Sequence, residues 1–244
     1  MHSFYIDKKG AAGECAGLPK EEAKHALKVL RLGVGDEVSA MDGMGGRFAA
    51  VIDSINGDNV ILRLAEELPD NEAPVQITLY QGLPKSDKLD FIVQKITELG
   101  AVRLAPVKME RCVVKLDAKD AAKRRERLEK IAHEATKQCK RASMPEILEA
   151  MTWKQALQDM KALDLVIVPW EEASGTRMKD VFTDRPDAKR IGIVIGPEGG
   201  MSEGEIEAMC GAGVVPVTLG PRILRAETAA VVSVGMAMTL WGDL

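Results

Sequence analysis

From residue 75 onward, apolar residues arrive in short unbroken blocks, each followed by a stretch in which they recur every three or four positions. The blocks Val75–Gln81, Val102–Val107, Leu163–Val168, Arg190–Ile195 and Val214–Leu219 read as strands without polar alternation. The stretches Asp87–Leu99, Asp117–Cys139, Trp153–Met160, Met178–Phe182, Ser202–Cys210 and Ala226–Trp241 read as helices. Gly100 stops the first of these, and the long charged second one carries Leu128, Ile131, Ala132 and Ala135 on one face. Strands that are apolar throughout and alternate with helices predict an α/β domain with a parallel sheet covered on both faces.

The first 72 residues follow another rhythm. Pro19 opens a helix with Glu21 and Glu22 in its first turn and Gly33 after its end. Asp36–Met41, Arg47–Ile55 and Asn59–Ala65 read as strands, with turns at Gly43-Met44-Gly45-Gly46 and Asn56-Gly57-Asp58. This pattern predicts a small barrel with a helix packed on it. The acidic, proline-containing stretch from Glu66 to Pro74 marks the boundary, giving domains 1–72 and 73–244.

With 46% hydrophobic and 29% charged residues, the 244-residue chain has material for a sizeable core and is not globally disordered. No apolar run reaches the roughly 20 residues needed to span a bilayer. The opening Met1–Asp7 lacks the basic and apolar regions of a signal peptide, so a cytoplasmic location and no membrane partner are expected. Four separated cysteines and three scattered histidines offer neither a disulfide framework nor metal-ligand spacing, so no metal is expected. The net charge of −4 is unevenly spread: Lys85 to Arg141 holds 16 Lys/Arg against 9 Asp/Glu, and the remainder 17 against 28. A basic middle suits phosphate contact, although a solvated helix face accounts for it as well.

Open parallel sheets bind ligands beyond the carboxyl ends of their strands. Three loops there carry candidate chemistry: Pro169-Trp170-Glu171-Glu172, Gly196-Pro197-Glu198-Gly199-Gly200 and Gly220-Pro221-Arg222-Ile223-Leu224-Arg225. The glycines of the second let backbone amides approach a ligand, and Ser202 with Glu205 forms a capping box at the next helix. A tight strand-to-helix turn explains the same glycines. Arg225 and Glu227 stand between a strand and an apolar helix, where each needs a ligand or an ion-pair partner. Neither GxGxxG nor GxxxxGK[ST] occurs, which argues against dinucleotide and nucleoside triphosphate chemistry. The helix from Ala226 is apolar on nearly every face and must be buried all round, by neighbours or by a second subunit.

The pair Ile195-Gly196-Pro197-Glu198-Gly199-Gly200 and Leu219-Gly220-Pro221-Arg222-Ile223-Leu224-Arg225-Ala226-Glu227-Thr228-Ala229 resembles the paired signature of the SPOUT methyltransferases. Within them, the chain is similar to the ribosomal RNA small subunit methyltransferase E family. The likeness extends to Gln94–Gly100, Glu110–Lys115, Glu134–Cys139, Pro145–Ile147 and His25–Arg31, and so spans essentially the whole chain.

That resemblance implies a PUA-like N-terminal barrel for RNA, a SPOUT-type parallel sheet with a C-terminal trefoil knot, and a homodimer. It implies S-adenosyl-L-methionine as cofactor and methylation of uridine N3 in 16S ribosomal RNA of the small ribosomal subunit. The cofactor site would comprise Pro169, Trp170, Glu171, Gly196, Pro197, Glu198, Gly199, Gly200, Leu219, Gly220, Ile223, Leu224, Arg225, Glu227, Thr228 and Ala229. Arg225 is the candidate for charge stabilisation, and Glu198 is either a base or a cap for cofactor amides. Lys8, Lys9, Lys24, His25, Lys28, Arg31, Arg111, Lys123, Arg124, Arg125 and Arg222 are the RNA-contact candidates. Two other readings stay open: a methyltransferase of the same fold acting on another RNA, such as a transfer-RNA ribose 2′-hydroxyl, and a non-catalytic RNA-binding assembly factor.

Overall fold

A computed structural model describes residues 1–85, 87–114 and 118–244; Lys115 and Asp117, the ends of two segments read from the sequence, lie outside them. The chain divides into two compact units, one of residues 1–72 with 133–144 and the other of residues 73–132 with 145–244.

In the first unit, strands β1 (His2–Tyr5), β2 (Cys15–Gly17), β3 (Glu37–Met41), β4 (Arg47–Asn56) and β5 (Asn59–Glu67) form one five-stranded sheet in the order β1-β3-β4-β5-β2. β1 runs parallel to β3, and the remaining pairs are antiparallel. Alternate residues Val38, Ala40, Ile52, Leu62 and Leu64 turn inward with Phe4, and Ala23 and Ala26 pack against them. Those alanines belong to helix α1 (Lys20–Lys24) and the wider π-turn, His25–Val29, that continues it. The sequence reads as one continuous helix here, because a π-turn leaves no periodic signature over five residues.

The segment 133–144 joins this unit through polar contacts. The Arg141 guanidinium, almost fully buried, donates from Nε to Glu72 Oε2 at 3.0 Å, and the Ser143 N–H donates to Glu72 Oε1 at 3.0 Å. The Tyr5 hydroxyl donates to the carbonyls of Arg141 and Thr136. Its burial pushes the phenol far above its usual titration range.

The second unit is built on a seven-stranded sheet of β6 (Gln76–Gly82), β7 (Arg103–Lys108), β8 (Glu146–Ile147), β9 (Met151–Thr152), β10 (Leu165–Pro169), β11 (Arg190–Ile195) and β12 (Val215–Val217). The order is β12-β10-β11-β6-β7-β8, with β9 also on β7, and every pairing is parallel. Ile77, Leu79, Ile191, Ile193 and Ile195 point to one face with apolar residues of α2 (Lys88–Glu98) and α7 (Ala226–Trp241). Tyr80, Val166, Val168 and Val194 point to the other with Ala156 and Met160 of α4 (Trp153–Met160) and Ile206 and Met209 of α6 (Glu203–Gly211). Residues 118–132 of α3 (Ala118–Cys139), whose remaining residues belong to the first unit, and α5 (Met178–Asp184) complete the set. The sheet is thus covered on both faces, as strands apolar throughout require. Burying each such Ile or Leu contributes about 1.5–3 kcal/mol.

Several boundaries differ from the expectation; β5, for example, runs on to Glu67 rather than ending at Ala65. β10 begins at Leu165 rather than Leu163, and β12 ends at Val217 rather than Leu219. Beyond Val217 the chain leaves β10, and the Thr218 N–H donates instead to the Thr176 carbonyl at 2.9 Å.

Candidate functional site

The strand order brings β12, β10, β11 and β6 side by side, so their C-terminal ends present adjacent loops. Between the loops after β10, β11 and β12 lies a cavity of about 410 Å³. Its wall includes Pro169, Glu171, Gly196, Pro197, Glu198, Gly200, Ile223, Leu224, Arg225 and Ala229 from the predicted set. A smaller recess of about 70 Å³ shares several of these residues and adds Trp170, Leu219, Gly220 and Arg222. Gly199, Glu227 and Thr228 line neither space. Gly199 meets Arg111, whose guanidinium donates to its carbonyl at 3.2 Å. Glu227 lies 3.5 Å from the Lys88 ammonium, and Thr228 is exposed on the first turn of α7.

The loop after β11 owes its path to glycine. Gly200 adopts φ +72°, and a Cβ there would come within 3.3 Å of the Glu171 carboxylate. The backbone beneath it is equally close. A Cβ on Gly82, the last residue of β6, would stand 2.6 Å from the Pro197 nitrogen. Gly82→Ala should therefore lower stability by about 1–3 kcal/mol, the usual cost of forcing an atom into a filled space. A urea midpoint equal to wild type would show that Pro197 yields freely.

At the far end of this loop Ser202 and Glu205 form the expected capping box, the Ser202 N–H donating to Glu205 Oε2 at 2.9 Å. The other Glu205 oxygen accepts the Glu110 N–H at 2.9 Å, tying the segment after β7 to the same loop.

The electrostatics distinguish the two candidate catalytic residues. Glu198 accepts the Lys85 N–H at 3.1 Å and sits 2.9 Å from the Lys88 ammonium. Burial works to raise its titration, but Lys88 and the backbone N–H donors outweigh it and hold the carboxyl below the usual range. A carboxylate so held is a weak base. The Arg225 side chain, exposed at the N-terminal boundary of α7, has no hydrogen bond or ion pair among the described residues. It is a free guanidinium on the wall of a cavity.

Lys88, Ile195, Met201 and Ala226 also line the cavity and were not foreseen. The position of Lys88 was within reach: it opens the helix after β6, one of the strand ends where such sheets bind ligands.

The RNA-contact candidates divide by environment. Lys9, Lys24, His25, Arg31, Lys123 and Arg222 are exposed without a side-chain ion pair among the described residues, and Arg31 is held at φ +56°. Lys8 pairs with Glu14 at 3.5 Å and Lys28 with Asp58 at 3.8 Å, both on the surface. Arg124 donates to the Pro84 carbonyl at 3.3 Å, and Arg125 pairs with Glu129 at 2.8 Å. Those last two arginines are engaged within the protein.

Comparison with known proteins meets this geometry. Residues 71–238 match the RNA methyltransferase domain family, and residues 18–65 match the RNA methyltransferase PUA domain family. Over 214 residues, the chain is 38% identical to ribosomal RNA small subunit methyltransferase E of Bacillus subtilis, covering 86% of this chain and 84% of that protein. It belongs to the ribosomal RNA small subunit methyltransferase E family. A crystal structure of a methyltransferase E from Neisseria gonorrhoeae bound to S-adenosyl methionine superposes with TM-score 0.85 at 33% identity, covering 100% of this chain and 99% of that one. A putative methyltransferase from Legionella pneumophila, in complex with the bound cofactor SAM, matches with TM-score 0.84 at 30% identity over 99% and 98% of the two chains. The likeness to methyltransferase E thus covers both units, and the resemblance read from the two C-terminal motifs holds. Among the described residues, no helix is long and apolar enough to cross a membrane.

Proposed function

We propose that this protein transfers the methyl group of S-adenosyl-L-methionine to N3 of a uridine in 16S ribosomal RNA of the small ribosomal subunit. The observation that carries the reading is the cavity where the loops after β10, β11 and β12 converge, with an unpaired Arg225 guanidinium on its wall. Its volume of about 410 Å³ suits a small-molecule ligand, and the glycine-dependent loop 196–200 leaves main-chain groups free to approach one. Family membership and the cofactor-bound relatives support the same assignment.

When bound, the cofactor supplies an electrophilic methyl on a positively charged sulfur. Pro169, Glu171, Gly196, Pro197, Gly200, Ile223 and Leu224 would hold it, with Trp170, Leu219 and Gly220 at the adjoining recess. The N3 lone pair forms the new N–C bond as the C–S bond breaks and its electron pair passes to sulfur. The N3 proton passes to solvent water, and its loss places negative charge on the uracil carbonyl oxygens. Arg225 is placed to stabilise that charge. Glu198, already committed to Lys85 and Lys88, acts as a structural anchor rather than the base.

The exposed side chains of Lys9, Lys24, His25, Arg31, Lys123 and Arg222 are the RNA contacts of this reading. It also includes a homodimer, a cytoplasmic setting and the trefoil knot that the family resemblance implies. The dimer is supported by the apolar surface of α7, where Val232 remains exposed and Val231, Met236 and Leu240 half-exposed, and by Ile223 at 87% exposure.

The test is to incubate the protein with small subunits from cells lacking it and radiolabelled S-adenosylmethionine, then to digest and identify the labelled nucleoside. N3-methyluridine at one site is the expected result. Label in another nucleoside would reassign the protein to a different RNA methylation. Absence of cofactor binding would leave an assembly factor.

A further inference from the structure

Lys88 reaches the cavity from a part of the chain that neither signature motif includes. Its ammonium sits 2.9 Å from Glu198, in the loop after β11, and 3.5 Å from Glu227, in the first turn of α7. One cation therefore joins three segments remote from one another in sequence. Its surroundings reinforce the junction. The Lys85 N–H donates to both Glu198 oxygens at 3.1 and 3.3 Å, and Gln81 Nε2 donates to the Gly196 carbonyl at 3.3 Å. Glu227 Oε2 is buried and accepts no hydrogen bond among the described residues, so its electrostatic balance falls to Lys88.

We propose that Lys88 is a positioning residue of the methyl-transfer cavity: its ammonium draws Glu198 and Glu227 together and so fixes the wall on which the cofactor rests. The inference builds on the methyl-transfer reading. Without the cation, two partly desolvated carboxylates would face the same space, and their repulsion would part the loop from α7. Arg225 sits directly before that first turn, so the charge-stabilising group shifts with it.

The clamp carries a pH signature. Lys88 keeps Glu198 ionised below the usual carboxylate range, so the clamp is intact at neutral pH and fails only in acid. Remove Lys88, and the burial that opposes ionisation acts against fewer donors. Failure then begins at a higher pH.

The experiment is calorimetric titration of S-adenosylmethionine into the full chain between about pH 4 and 8, from the usual carboxylate range to neutral conditions. Lys88→Met should weaken binding about tenfold, and its acid loss should move to higher pH. Lys88→Arg should retain most of the affinity. In a Glu198→Gln background the same Lys88→Met change should cost much less, because the charge it serves is gone. Should methionine prevent folding, Lys88→Gln carries the test and should lose affinity in the same way. Wild-type affinity in folded Lys88→Met or Lys88→Gln would overturn the clamp, as would an equal loss in the Glu198→Gln background. If the wild-type protein binds no cofactor, the methyl-transfer reading itself fails, an outcome distinct from either.

Discussion

Replacing Arg225 with alanine should slow methyl transfer by about 10²–10³-fold, the scale on which enzymes lose a preorganised group that stabilises developing charge. Affinity for S-adenosylmethionine should stay near wild type. The guanidinium is exposed, borders the cavity and has no internal partner among the described residues, so its removal leaves neither a buried unpaired group nor a broken network. Its absence should be felt where negative charge appears, on the carbonyl oxygens of the deprotonated base. Single-turnover measurements on small subunits separate the transfer step from binding. Arg225→Lys, which keeps the charge but loses the planar fork, should fall between the two. An alanine variant that transfers at the wild-type rate would exclude the role.

A second large effect is expected far from the chemistry. Arg141→Met should destabilise the fold by about 3–5 kcal/mol, the cost of removing one partner from a buried ion pair. Arg141 and Glu72 keep only 7% and 13% of their side-chain surface, so solvent cannot take the place of the lost partner. The Ser143 N–H would remain on Glu72, too little to satisfy a buried carboxylate. Urea unfolding followed by far-ultraviolet circular dichroism measures the loss. A change under about 1 kcal/mol would mean the pair behaves as a surface salt bridge does.

These two residues also show what the sequence carried and what it did not. Arg225 was legible because it belongs to a local motif, between a strand end and a helix whose limits, Ala226 and Trp241, match the expectation. Helix α4 was read to the residue, and its capping box of Thr152 and Gln155 explains the sharp start. The apolar blocks likewise marked the strands, because parallel strands buried on both faces admit little else. Arg141 was opaque. Its partner Glu72 lies in a distant acidic stretch that reads as a domain boundary, and only tertiary structure brings them together. Lys88 failed to stand out for the same reason, since its meaning depends on carboxylates supplied by two remote segments. Strands β8 and β9, of two residues each, are defined by pairing with β7 rather than by any pattern of their own. The free state of Arg225 and the committed state of Glu198 are likewise properties of the folded arrangement; from sequence, both were candidate catalytic groups.

The strand order has a consequence for how this protein is made. β6 is among the first strands of its sheet to leave the ribosome, yet its neighbour on one side is β11, with Ile77 opposite Ile191. Until most of the chain has been synthesised, β6 presents an unpaired edge and the apolar side chains of Ile77 and Leu79 to solvent. Pairings so distant along the chain cost loop-closure entropy before any contact repays it, and they slow folding. Closure of the sheet therefore waits on synthesis of β11, and the cavity, lined by the loops after β10, β11 and β12, can form only when the chain is nearly complete.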